Sequence, residues 1–159
     1  MMTRVPRSPW KTRYFIDTEF TDFKASQLIS IAIVSEDGRE FYGERSDFER
    51  QLCNDFVRGV VLPQLGQLPG RSMPFAALRD ELQAWLQAVP LKPKPVLCYD
   101  SNCDYELVTN LLGEPLPRGW KHENVFLKID AERFAQYITR HGGEHHALYD
   151  ARANAFAFR

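Results

Sequence analysis

Short apolar runs bounded by turn signals mark the chain up to residue 43, and apolar positions at helical spacing first appear from residue 54. Arg13 to Glu19 (RYFIDTE) is a short apolar run that turns acidic at its end, which predicts a strand. Leu28 to Ser35 (LISIAIVS) is β-branched and almost wholly apolar, as suits a strand buried in a sheet. Asp37-Gly38 is a hairpin signal, and Glu40 to Gly43 is the returning strand, so the chain opens as an antiparallel meander. Asn54 to Leu65 has the apolar spacing of a short helix, ended or kinked by Pro63. Beyond the loop QLPGRSMP, Pro74 to Val89 carries Phe75, Leu78, Leu82, Trp85 and Leu86 on one helical face, and Pro90, Pro93 and Pro95 stop it. Val96 to Tyr99 then reads as a strand and Asp104 to Leu112 as a helix. Val125 to Ile129 (VFLKI) reads as the last strand, and Ala131 to Arg140 and Ala147 to Phe158 as closing helices. Strands followed by mixed strands and helices predict an α/β domain, with an antiparallel opening on a mixed sheet flanked by helices. Residues 1–12, with two prolines and several basic side chains, read as a flexible lead-in, and 13–159 as a single domain.

Composition narrows the class rather than the fold. A chain of 159 residues, 44% hydrophobic and 26% charged, fits one globular domain able to bury a core. Cys53, Cys98 and Cys103 are odd in number and form no C-x-x-C pair, so reduced thiols and a cytoplasmic location are expected. No apolar run reaches the roughly 20 residues a membrane helix needs, and no signal-peptide pattern precedes the first strand. The formal net charge is −1. A protein that coats long nucleic acid carries a basic surface, because phosphate contacts dominate its affinity. If this chain meets nucleic acid, it grips a short end, with bound cations supplying much of the positive charge.

Three segments carry candidate chemistry. Asp17 and Glu19 close the first strand, and alternation puts both carboxylates on one face of the sheet. Such a pair suits a hard cation, although solvated acids at an exposed strand end would look the same. His145 lies five residues before Asp150 in H-H-A-L-Y-D-A, where a loop histidine runs into an alanine-rich helix. The plainer reading is two surface histidines and an aspartate favouring the positive end of the helix dipole. In the middle, Asp104 opens a helix and Asp100 sits in the turn before it; either points at the mouth of the sheet or caps the helix.

Taken in order, these segments resemble the DEDD superfamily of 3′→5′ exonucleases in its histidine-bearing branch, a ribonuclease H-like fold. The matching stretches are Phe15-Ile16-Asp17-Thr18-Glu19-Phe20, Asn102-Cys103-Asp104-Tyr105-Glu106-Leu107 and His145-His146-Ala147-Leu148-Tyr149-Asp150-Ala151. The likeness extends to a small bacterial and phage exoribonuclease subgroup typified by a mycobacterial RNase, through Tyr14 to Phe20, Glu36 to Tyr42 and Val61-Leu62-Pro63. The resemblance implies two Mg²⁺ or Mn²⁺ ions, roughly 3.5–4 Å apart, clamping the scissile phosphate. Asp17 would bridge them, Glu19 and Asp150 would serve one, and Asp104 the other through water. His145 would be the general base, and Phe20 would stack against the terminal base. His146 falls where a tyrosine branch of the superfamily keeps its base, and is expected to be dispensable. Cys103 stands where the pattern usually has an aromatic, so Asp100 stays a rival for the middle acid. The implied activity is stepwise removal of nucleoside 5′-monophosphates from RNA, with a possible homodimer by family analogy. The alternatives are a DNA-trimming or proofreading exonuclease, a phosphodiesterase acting on dinucleotides or capped ends, and a non-catalytic nucleic-acid-binding module of the same fold.

Overall fold

The computed structural model describes residues 8–159. Seven positions of the expected lead-in, 1–7, lie outside the described residues, and the first strand begins inside the rest of it, at Lys11. A six-stranded mixed sheet forms the centre, in the order β4-β3-β2-β1-β5-β6. Its strands are β1 (Lys11–Phe20), β2 (Leu28–Ser35), β3 (Glu40–Arg45), β4 (Ser72–Met73), β5 (Lys94–Tyr99) and β6 (Lys121–Asn124). The expected meander is there: β1 and β2 pair antiparallel with Asp17 opposite Ala32, and β2 and β3 pair antiparallel with Ala32 opposite Tyr42. β5 then joins the other side of β1 in parallel, with Phe15 opposite Cys98. The helices are α1 (Phe75–Ala88), α2 (Asn102–Leu112), α3 (Ala131–His141) and α4 (Ala147–Ala157).

Alternation along β1 sorts its side chains between two layers. Tyr14 and Ile16 join Ile31, Ile33 and Phe41 under α1 and α2, where Leu78, Leu82, Leu86, Val108 and Leu111 are buried. Burying each of these large side chains is worth about 1.5–3 kcal/mol. Gly43 is needed here, because a Cβ on it would stand 2.3 Å from Leu78 Cδ1. Phe15 faces the other way, toward Phe158, Val125 and the α4 layer. α4 presents Ala147, Ala151, Ala153 and Ala157, all fully buried, so its backbone lies close on β1 and β2. The odd-numbered positions of β1, Asp17 and Glu19 included, therefore look toward α4.

One expected strand is corrected. Val125 to Ile129 does not join the sheet: Val125 is buried, Phe126–Lys128 forms a 3-10 turn, and Phe126 and Leu127 are exposed. The last strand is the polar tetrapeptide Lys121–Asn124 just before it. It pairs in parallel with β5 at the sheet's edge, where backbone hydrogen bonding needs no apolar pattern. β4, two residues long, lies within the expected loop QLPGRSMP for the same reason. The predicted short helix is irregular, wound in wide π turns over Val57–Val61 and tightening into 3-10 turns over Leu62–Gln64, around Pro63. Cys53, Cys98 and Cys103 are free thiols. Among the described residues no helix is long and apolar enough to cross a membrane.

Candidate active site

The sheet positions the site through a difference in strand length. β5 ends at Tyr99, while β1, running beside it, continues to Phe20. Asp17, Thr18 and Glu19 thus project past the carboxyl end of β5 into a crevice at the end of two parallel strands, a place where α/β sheets commonly bind ligands. α2 starts in the same crevice. Its N-cap is Ser101, whose side chain accepts from the Cys103 N–H, so neither Asp100 nor Asp104 is spent on capping. Asp104 is buried and accepts from the Thr18 hydroxyl at 2.5 Å.

The third segment arrives from the C-terminal end. Gly142 and Gly143 turn the chain in the left-handed region, and His145 itself adopts φ 67°. That strained backbone is anchored on three sides. Its N–H donates to Asp150 Oδ2 at 3.1 Å, Gln64 donates to the Glu144 carbonyl, and the His146 N–H donates to the Gly143 carbonyl. Asp150 sits in the first turn of α4, as expected. His145 is partly exposed and meets the half-exposed Phe56 ring edge-on, with centroids 4.9 Å apart. Phe56 was not singled out in the sequence, where it reads as one apolar position of a short helix. Phe20 is half-buried against the core under α1 and α2, and touches the exposed Phe23 edge-on.

Two groups of ligand atoms result, each drawn together within 4.8 Å: Glu19, His145 and Asp150 in one, and Asp17, Asp100 and Asp104 in the other. The structure thus brings together all five expected side chains, and adds Asp100 rather than choosing between it and Asp104. The electrostatics are those of crowded, desolvated acids. Burial first, then the charges of Asp104, Asp150, Glu19 and Asp100, hold the Asp17 carboxyl well above the usual carboxylate range. Burial and the charges of Asp150 and Asp104 push Glu19 up to about 9. Burial raises Asp104 to about 8, against the opposing Thr18 hydrogen bond, and raises Asp150 to about 7, against that from the His145 N–H. Asp17 Oδ2 is buried and has no hydrogen-bond partner. An unpartnered buried carboxylate oxygen amid four other acids fits a hard divalent cation, whose ligands are oxygens. Burial of Asp17 Oδ2, Asp104 and Asp150 speaks against the plainer reading of solvated acids.

His146, which the motif alignment does not make the base, has a structural place of its own. It is buried, caps α4 through its ring, and has both ring nitrogens in hydrogen bonds. It is not free to take a proton from solvent.

Comparisons with known proteins bear on the fold. No family model matches the chain. A 3′-exonuclease solved for 3′-end-specific recognition of a histone mRNA stem-loop superposes over 93% of this chain and 62% of its own, with a TM-score of 0.63 and 15% identity. Escherichia coli exonuclease I in complex with a dA16 oligonucleotide superposes over 91% of this chain and 39% of its own, with a TM-score of 0.60 and 14% identity. The fold is that of the 3′-exonucleases. In sequence, two Mycobacterium tuberculosis proteins, from strains CDC 1551 and H37Rv, are each named 3′-5′ exoribonuclease. Each is 48% identical to this chain over 54 residues, which is 33% of this chain and 32% of the relative. The match therefore spans about a third of those relatives. The resemblance to mycobacterial exoribonucleases drawn from the motifs is borne out, and the mixed sheet is the one found in these exonuclease folds.

Proposed function

We propose that the protein is a divalent-metal-dependent 3′→5′ exoribonuclease that releases nucleoside 5′-monophosphates. One observation carries this reading: side chains from three segments far apart in the chain, 17–19, 100–104 and 145–150, converge on a crevice holding an unpartnered buried carboxylate oxygen. The names of the mycobacterial relatives support RNA over DNA.

Asp17, Glu19, Asp104 and Asp150 would hold the cations, Asp17 and Asp104 from one group of ligand atoms and Glu19 and Asp150 from the other. Bound Mg²⁺ or Mn²⁺ supplies positive charge to the scissile phosphate and acidity to the attacking water. The rest belongs to the chain's own residues. His145 accepts the proton of the attacking water at a ring nitrogen, the general-base role that histidine most often fills. Its partial exposure leaves that ring open to the crevice, and its strained backbone aims it there. Phe56, edge-on to His145, and Phe20, beside the Asp17 and Glu19 pair, are available to the terminal bases, since aromatic faces accept any base. A formal net charge of −1 suits grip of a short single-stranded end or 3′ overhang.

The test uses a 5′-labelled single-stranded RNA oligomer. With Mg²⁺ or Mn²⁺ it should shorten one nucleotide at a time, and EDTA or Asp17→Asn should abolish this while the variant stays folded. Internal cleavage products, or undiminished activity in EDTA, would overturn the proposal. A matched DNA oligomer, cut faster than the RNA, would move the activity to DNA trimming.

A further inference from the structure

A second row of polar side chains lies on the α4 side of the sheet, two strands from the acids across β2. Asp17 is opposite Ala32 and Ala32 opposite Tyr42; Glu19 is opposite Ser30 and Ser30 opposite Glu44. Tyr42, Glu44 and His146 are all buried. Their hydrogen bonds can be ordered by what each donor is able to do. The Leu148 N–H can only donate, and it donates to His146 Nδ1 at 3.3 Å, so that nitrogen is bare. The proton of a neutral ring is then on Nε2, which faces the Tyr42 hydroxyl at 3.2 Å. Tyr42 accepts from that N–H and donates its own O–H to Glu44 Oε2 at 2.5 Å. The Gly66 N–H donates to both oxygens of Glu44 at 3.2 Å. Every polar atom of this chain has a partner and a direction, and each link depends on the next.

Histidine is an unusual helix cap; Ser, Thr, Asp and Asn are the common ones. Here it works only while Nδ1 is bare, which is favoured by an acceptor for Nε2–H, a role Tyr42 fills while its own O–H is donated to Glu44. Burial helps by lowering the tendency of His146 to charge. The Tyr42 ring also stacks on His146, with centroids 5.0 Å apart at 20°. What the cap holds is the start of α4, and with it His145 on one side and Asp150 on the other.

We infer that Tyr42 and Glu44 are positioning residues of the hydrolytic site, acting through the cap made by His146 to hold His145 and Asp150 against the β1 acids. This rests on the proposed function only for its activity readout. In Tyr42→Phe the His146 Nε2–H loses its acceptor. Its kcat on single-stranded RNA should fall on the order of 10- to 100-fold, as a displaced catalytic group costs. KM should stay within about twofold, because no substrate contact is removed. Glu44→Gln, which keeps an acceptor oxygen, should stay nearer to the wild type than Glu44→Ala. A merely structural role predicts otherwise, so Val89→Ala, under α1 on the far face of the sheet, serves as a control that lowers stability without lowering kcat. Nitrogen-15 spectra of the histidine rings provide a readout that needs no substrate. The wild type should show a neutral His146 protonated on Nε2, and Tyr42→Phe should alter that signal. Full kcat in Tyr42→Phe, or a His146 protonated on Nδ1, would overturn the inference. A wild type that fails to cut RNA would overturn the proposed function instead, and the ring spectrum would still decide the order of the chain.

Discussion

His145 and His146 are adjacent and have nearly opposite surroundings, which settles how each should respond to loss. His145 is open to the crevice and its ring is in no hydrogen-bonded network, apart from the weak approach of Glu144 at 3.6 Å. His145→Ala should therefore keep its melting temperature and lose activity by about 10²–10⁴-fold, the usual cost of removing a general base. Single-turnover rates beside thermal melts check this; an active His145→Ala would move the base elsewhere. At this scale the sequence was informative where chemistry imposes spacing. The two-residue step from Asp17 to Glu19 and the five-residue step from His145 to Asp150 both survive as geometry. It was uninformative where contacts cross the fold. Tyr42 and Glu44 differ in no local way from other residues of an alternating strand. Their pairing with His146 spans 104 residues in the case of Tyr42. Asp100 and Asp104 could not be separated because the turn between β5 and α2 brings both to Asp17.

Among the elements, the loop from α3 to α4 does the most with the fewest residues. Gly143 has φ 82°, and a Cβ there would stand 2.4 Å from Tyr149 Cγ. Gly143→Ala combines left-handed strain of roughly 1–2 kcal/mol with overpacking of about 1–3 kcal/mol. It should lower both the melting temperature and kcat, since the loop it distorts carries His145. Gly38→Ala, in the distant hairpin and with open space around its Cβ position, should lower stability alone. Equal kcat in the two variants would show that the loop does not aim the histidine. Buried elements were legible from pattern: β2 matches its expected span of Leu28–Ser35, and α1, α2 and α4 fall within two residues of theirs at each end. Edge elements were not. β6 has no apolar face to read, and the apolar VFLKI beside it drew the assignment away, although only Val125 of its five residues is buried.

For the molecule as a whole, the acid cluster makes stability depend on pH in a way that bound cations should cancel. Asp17, Glu19, Asp104 and Asp150 all hold protons more tightly in the folded state than the roughly 4 expected when unfolded. Groups raised in this sense contribute stability that is complete below the unfolded value and lost as pH climbs through the folded one. In EDTA the melting temperature should thus fall between about pH 4 and about pH 9, the value for Glu19. Mg²⁺ or Mn²⁺ should flatten that slope, because a ligand of the native state stabilises it and favours the ionised acids. Melting curves across this range, with and without metal, decide it; a rise with pH in EDTA would contradict the buried cluster. The arrangement also bears on the order in which the protein is made. The crevice takes its first ligands from β1 and its last from α4, whose docking on β1 and β2 joins segments far apart in the chain. A nascent chain still lacking residues 145–157 holds the acids of β1 without Asp150 or the histidine. On the proposed function, a nascent chain at that stage would have no RNA-cutting activity to turn on its own messenger.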